Sequence, residues 1–300
     1  MKKLIIFVLF AMTCISINPA RQAAQTTEPP KTDLFIVDLS QRDGKLQFGK
    51  PLNITKRKGY DNQPGFLPDG KSLFYTSRRE DKQADIYRYD IDNAATTRLT
   101  ETTESEYSPT VTPDGKYFSV IRVEADSTQR LWKFPIDGGH PVLVLKNIKP
   151  VGYHVWVDQN TVVLFILGTP NLLKLVDTTT EKAETIAASV GRSLHMTTNS
   201  REINYVYKSS DEEWTIRSQH LKTHRLTRFI KTLPGSEDFV WSPGGALLMG
   251  NGSKLFRYNP KSDKDWQEVA DFSKEGITQI TRLAISPAGD RIAFVANDAP

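Results

Sequence analysis

The sequence predicts an all-β fold, a six-bladed β-propeller built from four-stranded antiparallel blades. Three observations support this prediction. A turn pattern recurs every 41 to 45 residues, each repeat contains short segments that alternate apolar and polar residues, and the two ends of the chain carry complementary parts of one repeat. A repeat of this length cannot bury both faces of its own sheet, so the copies must stack against one another.

The clearest copy covers residues 62–100 and contains four short segments with strand character. A Pro68-Asp69-Gly70 turn joins the first two, and an Asp-Gly pair tolerates the positive φ angles of a tight hairpin. The segments alternate apolar and polar residues and are enriched in β-branched and aromatic types, as strands are. The predicted strands are residues 65–67, 71–77, 85–91 and 96–100.

A turn marker between the first and second strands places the six copies along the chain. The third and fourth copies lack the Pro-Asp-Gly pattern and keep only the spacing. A third strand is expected in the first five copies and a fourth strand in most of them. The markers are Pro68, Pro113, Val157, Thr198, Pro243 and Pro287.

The sixth copy is short, and the N-terminal part of the chain carries what it lacks. Residues 281–285 and 291–296 provide two strands before Pro300. Residues 33–39 resemble the third strand of the first copy, and residues 52–55 resemble its fourth strand. We therefore expect the N-terminal strands to complete the C-terminal blade, which leaves no open sheet edge in the ring.

The N-terminus has the pattern of an export signal, in which Lys2 and Lys3 precede an apolar run too short to span a membrane. We divide the chain into a signal peptide at 1–20, a polar flexible leader at 21–32 and the propeller at 33–300. Cys14, the only cysteine, lies where a lipoprotein signal places its acylated residue. The residues before it match such a signal poorly, so lipid anchoring and ordinary cleavage both stay open.

Composition and charge exclude some classes of partner. Removing the two lysines of the signal lowers the formal charge from +4 to +2, which gives no reason to expect nucleic acid or an anionic membrane as a partner. The 38% hydrophobic content is typical of a globular domain, and without a second cysteine the fold must be held by burial alone.

The repeats resemble TolB-type propeller repeats. The resemblance rests on PGFLPDGK at residues 64–71, FYTSR at 74–78, DIY at 85–87 and RLT at 98–100, and it extends with decreasing strength over residues 33–300. It implies the propeller fold. TolB itself carries a separate α/β domain before its propeller, and only a short leader precedes the repeats here, so a role in the Tol system follows from the resemblance only as an open alternative.

No catalytic motif stands out. The sequence has no Gly-x-Ser-x-Gly elbow, and the i, i+4 pair His220 and His224 falls on a strand and turn, where that spacing does not place two rings around one metal. We expect no cofactor and no metal. Asp69 and Asp114 are expected to cap their hairpins. Tryptophans recur at positions expected to pack between blades: Trp132, Trp156, Trp214 and Trp241.

The most plausible functional surface is the mouth of the central channel. Loops that lead from the last strand of one blade into the first strand of the next are expected to converge there, as loops on rigid scaffolds do at binding sites. Their mixed charge and aromatic content suit a peptide or protein segment. The candidate partner-binding residues are Asn62, Gln63, Glu106, Tyr107, His154, Arg192, His195, Glu237, Asp238 and Arg282.

The sequence therefore favours an exported, monomeric, non-catalytic propeller, located in the periplasm or at the cell surface, that binds a protein or peptide of the cell envelope at this mouth. Two alternatives stay open. One is a hydrolase, lactonase-like or lyase-like enzyme with a metal in the channel, for which Asn62, Glu106, His154 and Asp238 would have to converge. The other is a carbohydrate-binding module that uses the aromatic residues of the mouth.

Overall fold

The computed structural model describes residues 30–79, 83–197 and 201–297. Within these ranges the regular secondary structure consists of β-strands and one 3-10 turn at Ser273–Glu275. The export signal, Cys14, most of the leader and the fourth turn marker, Thr198, lie outside the described residues. None of the helical structure in the described part is long and apolar enough to cross a bilayer.

The strands group into six blades, each with its first strand innermost. The N-terminal strands are β1 (Thr32–Arg42), β2 (Lys45–Phe48) and β3 (Leu52–Asn53). Blade 1 contains β4 (Tyr60–Phe66), β5 (Ser72–Arg78), β6 (Ala84–Asp90) and β7 (Ala95–Arg98). Blade 2 contains β8 (Ser105–Val111), β9 (Tyr117–Val123), β10 (Gln129–Pro135) and β11 (Val142–Leu143). Blade 3 contains β12 (Val151–Asp158), β13 (Thr161–Ile166), β14 (Leu172–Asp177) and β15 (Ala183–Ala188).

The remaining blades continue the pattern. Blade 4 contains β16 (Val190–Thr197), β17 (Glu202–Lys208), β18 (Trp214–His220) and β19 (Leu226–Lys231). Blade 5 contains β20 (Phe239–Trp241), β21 (Leu247–Asn251), β22 (Lys254–Tyr258) and β23 (Gln267–Asp271). Blade 6 begins with β24 (Ile280–Ile285) and β25 (Arg291–Asn297).

The N-terminal strands complete blade 6, as the sequence predicts. Strand β1 pairs antiparallel with β25, so that Asp33 lies opposite Ala296 and Asp38 opposite Arg291, and β3 pairs with the other edge of β1. Blade 6 therefore has the order β24-β25-β1-β3. The sequence did not predict that β1 runs on to Arg42 and turns back as β2.

Hydrogen bonds between the side chains of the two outer strands of blade 1 recur in blade 6, where the N-terminal strands close the ring. In blade 1, Asp85 of the third strand accepts hydrogen bonds from Arg98 (2.6 Å) and Thr100 (3.4 Å) in the fourth-strand segment. In blade 6, Asp33 accepts one from Thr55 at 2.7 Å. The equivalent aspartate and threonine thus meet in both blades, which explains why the N-terminal segment carries the same spacing as the internal repeats.

The hydrophobic core is divided among the six junctions between neighbouring blades. In β25, Ile292 and Phe294 pack towards blade 5, whereas Ala293 and Val295 pack towards blade 1. Successive side chains of a strand point to opposite faces, so a second strand with both faces buried must be apolar almost throughout. The first strands contact one another in cyclic order, and β24 contacts β4, which completes the ring.

Two smaller predictions are confirmed. Asp69 and Asp114 cap their hairpins, since Lys71 N–H donates to Asp69 at 2.9 Å and Lys116 N–H donates to Asp114 at 3.1 Å. The four tryptophans pack against the cores between blades: Trp132, Trp156, Trp214 and Trp241.

Candidate functional site

A cavity of about 150 Å³ occupies the centre of the ring, and we call it the central cavity. Because every blade contributes to its lining, it belongs to the channel of the propeller rather than to one junction. One lining residue from each of blades 1 to 6 is, in order, Gln63, Ser108, His154, Arg192, Asp238 and Arg282.

The candidate residues are not mainly in loops, which corrects the sequence-based prediction. Eight of the ten lie on the first strands themselves, because these strands begin before the candidate residues, and only Glu237 and Asp238 lie in a loop, before β20. Six of the ten line the central cavity: Gln63, His154, Arg192, His195, Asp238 and Arg282.

The other four candidates lie beside the central cavity without lining it. Asn62 is buried, and its side-chain oxygen accepts a hydrogen bond from Gln63 N–H at 3.0 Å. Glu237 binds Lys208 at 3.0 Å. Tyr107 is half-buried next to Glu106 on β8.

Glu106 is fully buried and belongs to the interior of blade 2. Thr102 donates a hydrogen bond to it at 2.6 Å, and Arg122 Nε lies 3.4 Å away. Burial raises the pKa of Glu106 to about 7, although Thr102 and Arg122 act in the opposite direction. Its carboxyl group is thus a structural group, not a group that a partner at the mouth could reach.

β-Bulges shape three of the six first strands at the same place. Gln63, Ser108 and Arg282 have positive φ angles of 56°, 56° and 51°, and each lies where the pairing of the first and second strands shifts register. A bulge inserts an extra residue and turns the strand locally. All three residues line the central cavity, so the bulges give blades 1, 2 and 6 their contribution to it.

Asp238 organises the charges of the central cavity. Arg192 donates to its two oxygens at 3.1 and 2.7 Å, in the bidentate geometry that suits guanidinium and carboxylate, and Arg282 Nη1 lies 3.8 Å away. Burial acts to raise the pKa of Asp238, but Arg282 and Arg192 together lower it below its usual value. The ionised carboxylate thereby links blades 4, 5 and 6.

Tyrosines extend this network to the opposite side of the channel. Arg282 Nη2 donates to Tyr153 Oη at 2.9 Å, which joins blade 6 to blade 3. Burial raises the pKa of Tyr60 to about 12; Arg282 lowers this pKa by a smaller amount and Tyr153 adds to the rise, so all three groups share one electrostatic environment. Tyr60 was missed by sequence reasoning; its position immediately before Asp61, Asn62 and Gln63 was the only signal.

Two histidines of the channel contact serines, but neither pair forms a catalytic triad. His195 Nε2 lies 3.1 Å from Ser193 Oγ, and His154 Nε2 lies 2.6 Å from Ser119 Oγ. Burial lowers the pKa of His195 to about 4 and that of His154 to about 3, so both are weak bases. Among the described residues, the side-chain hydrogen bonds of Asp238 come from Arg192 and none comes from either ring, so this carboxylate does not complete a triad.

The metal site considered from the sequence does not assemble. Among the described residues, no three His, Cys, Asp or Glu side chains lie close enough together to hold one metal ion. Glu106 pairs with Arg122 inside blade 2, whereas Asp238 pairs with Arg192 in the channel. These two proposed ligands therefore serve separate ion pairs.

Comparisons with known proteins agree on the architecture. No protein-family model matches the chain. An uncharacterized protein of Agrobacterium fabrum is 38% identical over 107 residues, which covers 31% of this chain and 35% of that protein. The match thus spans about a third of the relative's length.

Two solved structures show the class of fold. A protein described as TolB from Agrobacterium tumefaciens is similar with a TM-score of 0.70 and 14% identity, over 90% of this chain and 99% of that one. A manganese-bound oligogalacturonate lyase is similar with a TM-score of 0.52 and 12% identity, over 91% and 99% of the two chains. The chain is therefore a β-propeller, and its fold is TolB-like. At these identities the likeness defines the fold and not the activity.

Proposed function

We propose that the protein is a non-catalytic binding propeller that captures a protein or peptide segment at the central cavity. The observation that carries the proposal is the linked set of Arg192, Asp238, Arg282 and Tyr153, which joins four blades around one small opening. Arginine and tyrosine are the residue types that contribute most to protein recognition.

The size of the central cavity supports a segment of a macromolecule over a free small molecule. Small-molecule pockets usually measure roughly 300–1,000 Å³, whereas about 150 Å³ is the size of an engineered cavity that holds one benzene ring. One side chain or one chain end fits this space. The rest of the partner would then lie across the half-buried tyrosines around the opening.

The stiffness of the ring suits this role. Each blade packs on its two neighbours through the apolar clusters at the junctions, and the ion pair between Arg192 and Asp238 joins blades 4 and 5 at the channel. A preformed site loses little conformational entropy when it binds. Export to the periplasm or cell surface, as a monomer with the signal at residues 1–20, is part of the same proposal, and mass spectrometry of the mature N-terminus would test it and the acylation of Cys14.

The enzyme alternative is supported only by the similarity in fold to the oligogalacturonate lyase. It requires a metal bound in the channel. Titration of the purified protein with Mn²⁺ and Ca²⁺ by calorimetry addresses it directly, and a stoichiometric complex lost on Asp238→Asn substitution would favour an enzyme over the binding propeller.

Site-specific photo-crosslinking tests the binding role. A photoreactive phenylalanine analogue placed at Tyr107, beside the central cavity, should capture a discrete envelope polypeptide in intact cells. The matched control carries the analogue at Leu226, an exposed position on the outer strand β19. Equal labelling at both positions, or none at position 107, would contradict the proposal.

A further inference from the structure

The central cavity has an excess of positive charge. Its lining contains two guanidinium groups, Arg192 and Arg282, and one carboxylate, Asp238. The two histidines of the lining have pKa values lowered to about 3 and 4 by burial, so they stay neutral near pH 7. Two cations thus share one anion in a partly desolvated space, where an uncompensated charge is costly.

Arg282 is the cation with unused capacity. Arg192 occupies both oxygens of Asp238 with short hydrogen bonds, whereas Arg282 Nη1 stays 3.8 Å from this carboxylate, beyond hydrogen-bond distance. Within the described residues, the hydrogen bond of the Arg282 guanidinium goes to a neutral group, Tyr153 Oη. A guanidinium can form two parallel bonds to a carboxylate, and Arg282 has none.

The neutral groups of the lining also present donors. Gln63 Oε1 accepts hydrogen bonds from Thr76 Oγ1 and Ser108 N–H, both at 2.9 Å, which leaves the amide NH₂ of Gln63 as the group available to a ligand. Tyr153 Oη accepts from Arg282, so its own proton is free to be donated. The acceptor that could compete, Asp238, is already engaged by Arg192.

Apolar walls complete the central cavity. Pro64, Pro109, Leu194 and Leu283 line it beside the polar groups. Such a lining suits a group that carries an anionic hydrogen-bond acceptor on a short hydrocarbon chain. The volume of about 150 Å³ admits one such group.

We propose that the central cavity binds a carboxylate of the partner segment, and that Arg282, Tyr153 and Gln63 are the residues that receive it. The carboxylate belongs to an Asp or Glu side chain or to the C-terminus of the segment. This inference rests on the proposed binding function and adds the chemistry that the partner must present.

Matched peptide pairs test the inference with the wild-type protein. The probes are short peptides of random sequence, and each peptide is synthesised in three forms. The first form keeps its acidic residues and free C-terminus, the second has Asp and Glu replaced by Asn and Gln, and the third has a C-terminal amide. Charge-assisted hydrogen bonds contribute about 1.5–3 kcal/mol, so binders should lose about tenfold or more in affinity in one of the two neutralised forms. Which form loses affinity identifies the source of the carboxylate.

A charge variant gives the second arm. Arg282→Gln should reduce the affinity for the acidic form by about tenfold and leave the affinity for the neutralised form unchanged. The control is Arg225→Gln, which removes an exposed arginine of blade 4 paired with Glu202, far from the channel, and should change neither affinity. If Arg282→Gln fails to fold, the comparison of peptide forms on the wild-type protein still decides.

The outcomes separate this inference from the proposed function. Peptides that bind with equal affinity in all forms would overturn the carboxylate inference and leave peptide binding standing. Binding of an oligogalacturonate probe in place of every peptide, or binding of neither, would overturn both.

Discussion

Two junctions of the ring each contain a tryptophan from the first strand of a blade, and within the described residues only one of the two forms a hydrogen bond through its indole N–H. Trp156, near the end of β12, and Trp241, at the end of β20, each face the third residue of the second strand in the preceding blade. At the junction of blades 2 and 3 that residue is Ser119, and Trp156 Nε1 donates to its hydroxyl at 2.8 Å. At the junction of blades 4 and 5 it is Asn204, and Trp241 Nε1 is buried without a hydrogen-bond partner among the described residues.

The two facing residues use their hydrogen-bonding groups differently. Ser119 donates its proton to Thr110 O at 3.1 Å, so its oxygen is free to accept from Trp156 and from His154. His154 then carries its proton on Nε2. Asn204 instead uses its amide nitrogen to donate to His195 O and Thr197 Oγ1, at 3.1 and 2.8 Å.

The indole without a hydrogen bond also has more empty space beside it. The gap beside Trp156 measures about 40 Å³, whereas the gap beside Trp241 measures about 460 Å³ and is lined by Phe229 and Asn204 as well. Trp156 of blade 3 is thus tightly packed and hydrogen-bonded, whereas Trp241 of blade 5 is loosely packed and its N–H has no hydrogen-bond partner within the described residues. A repeated sequence position fixes where a side chain lies but not whether its polar atom is satisfied.

Removing the Ser119 hydroxyl should have the largest effect on stability. Ser119→Ala leaves the buried N–H groups of Trp156 and His154 without their acceptor, and each unsatisfied group costs about 1–3 kcal/mol. We expect a loss of about 3 kcal/mol in the free energy of unfolding, measured by urea denaturation. Thr227→Ala, on the exposed outer strand β19 of blade 4, is the control. A loss no larger than that of the control would show that the paired junction is not held by this hydroxyl.

Exchanging the two tryptophans for phenylalanine compares the junctions directly. Trp156→Phe removes a buried hydrogen bond and leaves Ser119 with unused acceptor capacity, whereas Trp241→Phe removes an N–H that has no partner. Trp241→Phe should therefore cost about 1–2 kcal/mol less. The measurement is the pair of unfolding midpoints in one buffer, and equal midpoints would mean that the Trp241 indole is satisfied in solution.

The fold could be predicted from the sequence because it depends on patterns that repeat. The spacing of the turn markers and the likeness of residues 33–39 to 85–91 both reflect a repeated local geometry, and the pairing of β1 with β25 confirms the closure predicted from that likeness. The hairpin of β1 and β2 was missed, because Asp43 and Gly44 form a turn that lies outside the repeat pattern.

The candidate site could be predicted only in part. The register of the repeats selected Arg192, Asp238 and Arg282 correctly as lining residues. The same register gave no information on side-chain direction, so Glu106 was placed at the mouth although it faces the interior of blade 2. Strand direction around a β-bulge depends on one inserted residue, which the spacing of the repeats does not reveal.

Glu106 in the interior of blade 2 and Asp238 in the channel should respond to pH in opposite ways. Burial raises the pKa of Glu106 from 4.5 to about 7 in the folded protein, so folding favours its protonated form. The stability that this provides is complete below pH 4.5 and is lost as the pH rises towards 7. Asp238 has a lowered pKa, so its contribution is present above its unfolded value of 3.8 and is lost only in acid.

Glu106→Gln therefore changes the pH dependence of stability between pH 5 and 8. Over this range the wild type should lose about 2–3 kcal/mol relative to Glu106→Gln, because only the wild type must bury a charge at the higher pH. Asp238→Asn should differ from the wild type by a constant amount over the same range. Parallel curves for the wild type and Glu106→Gln would mean that the Glu106 carboxyl ionises without cost, and that Arg122 compensates it as fully as Arg192 and Arg282 compensate Asp238.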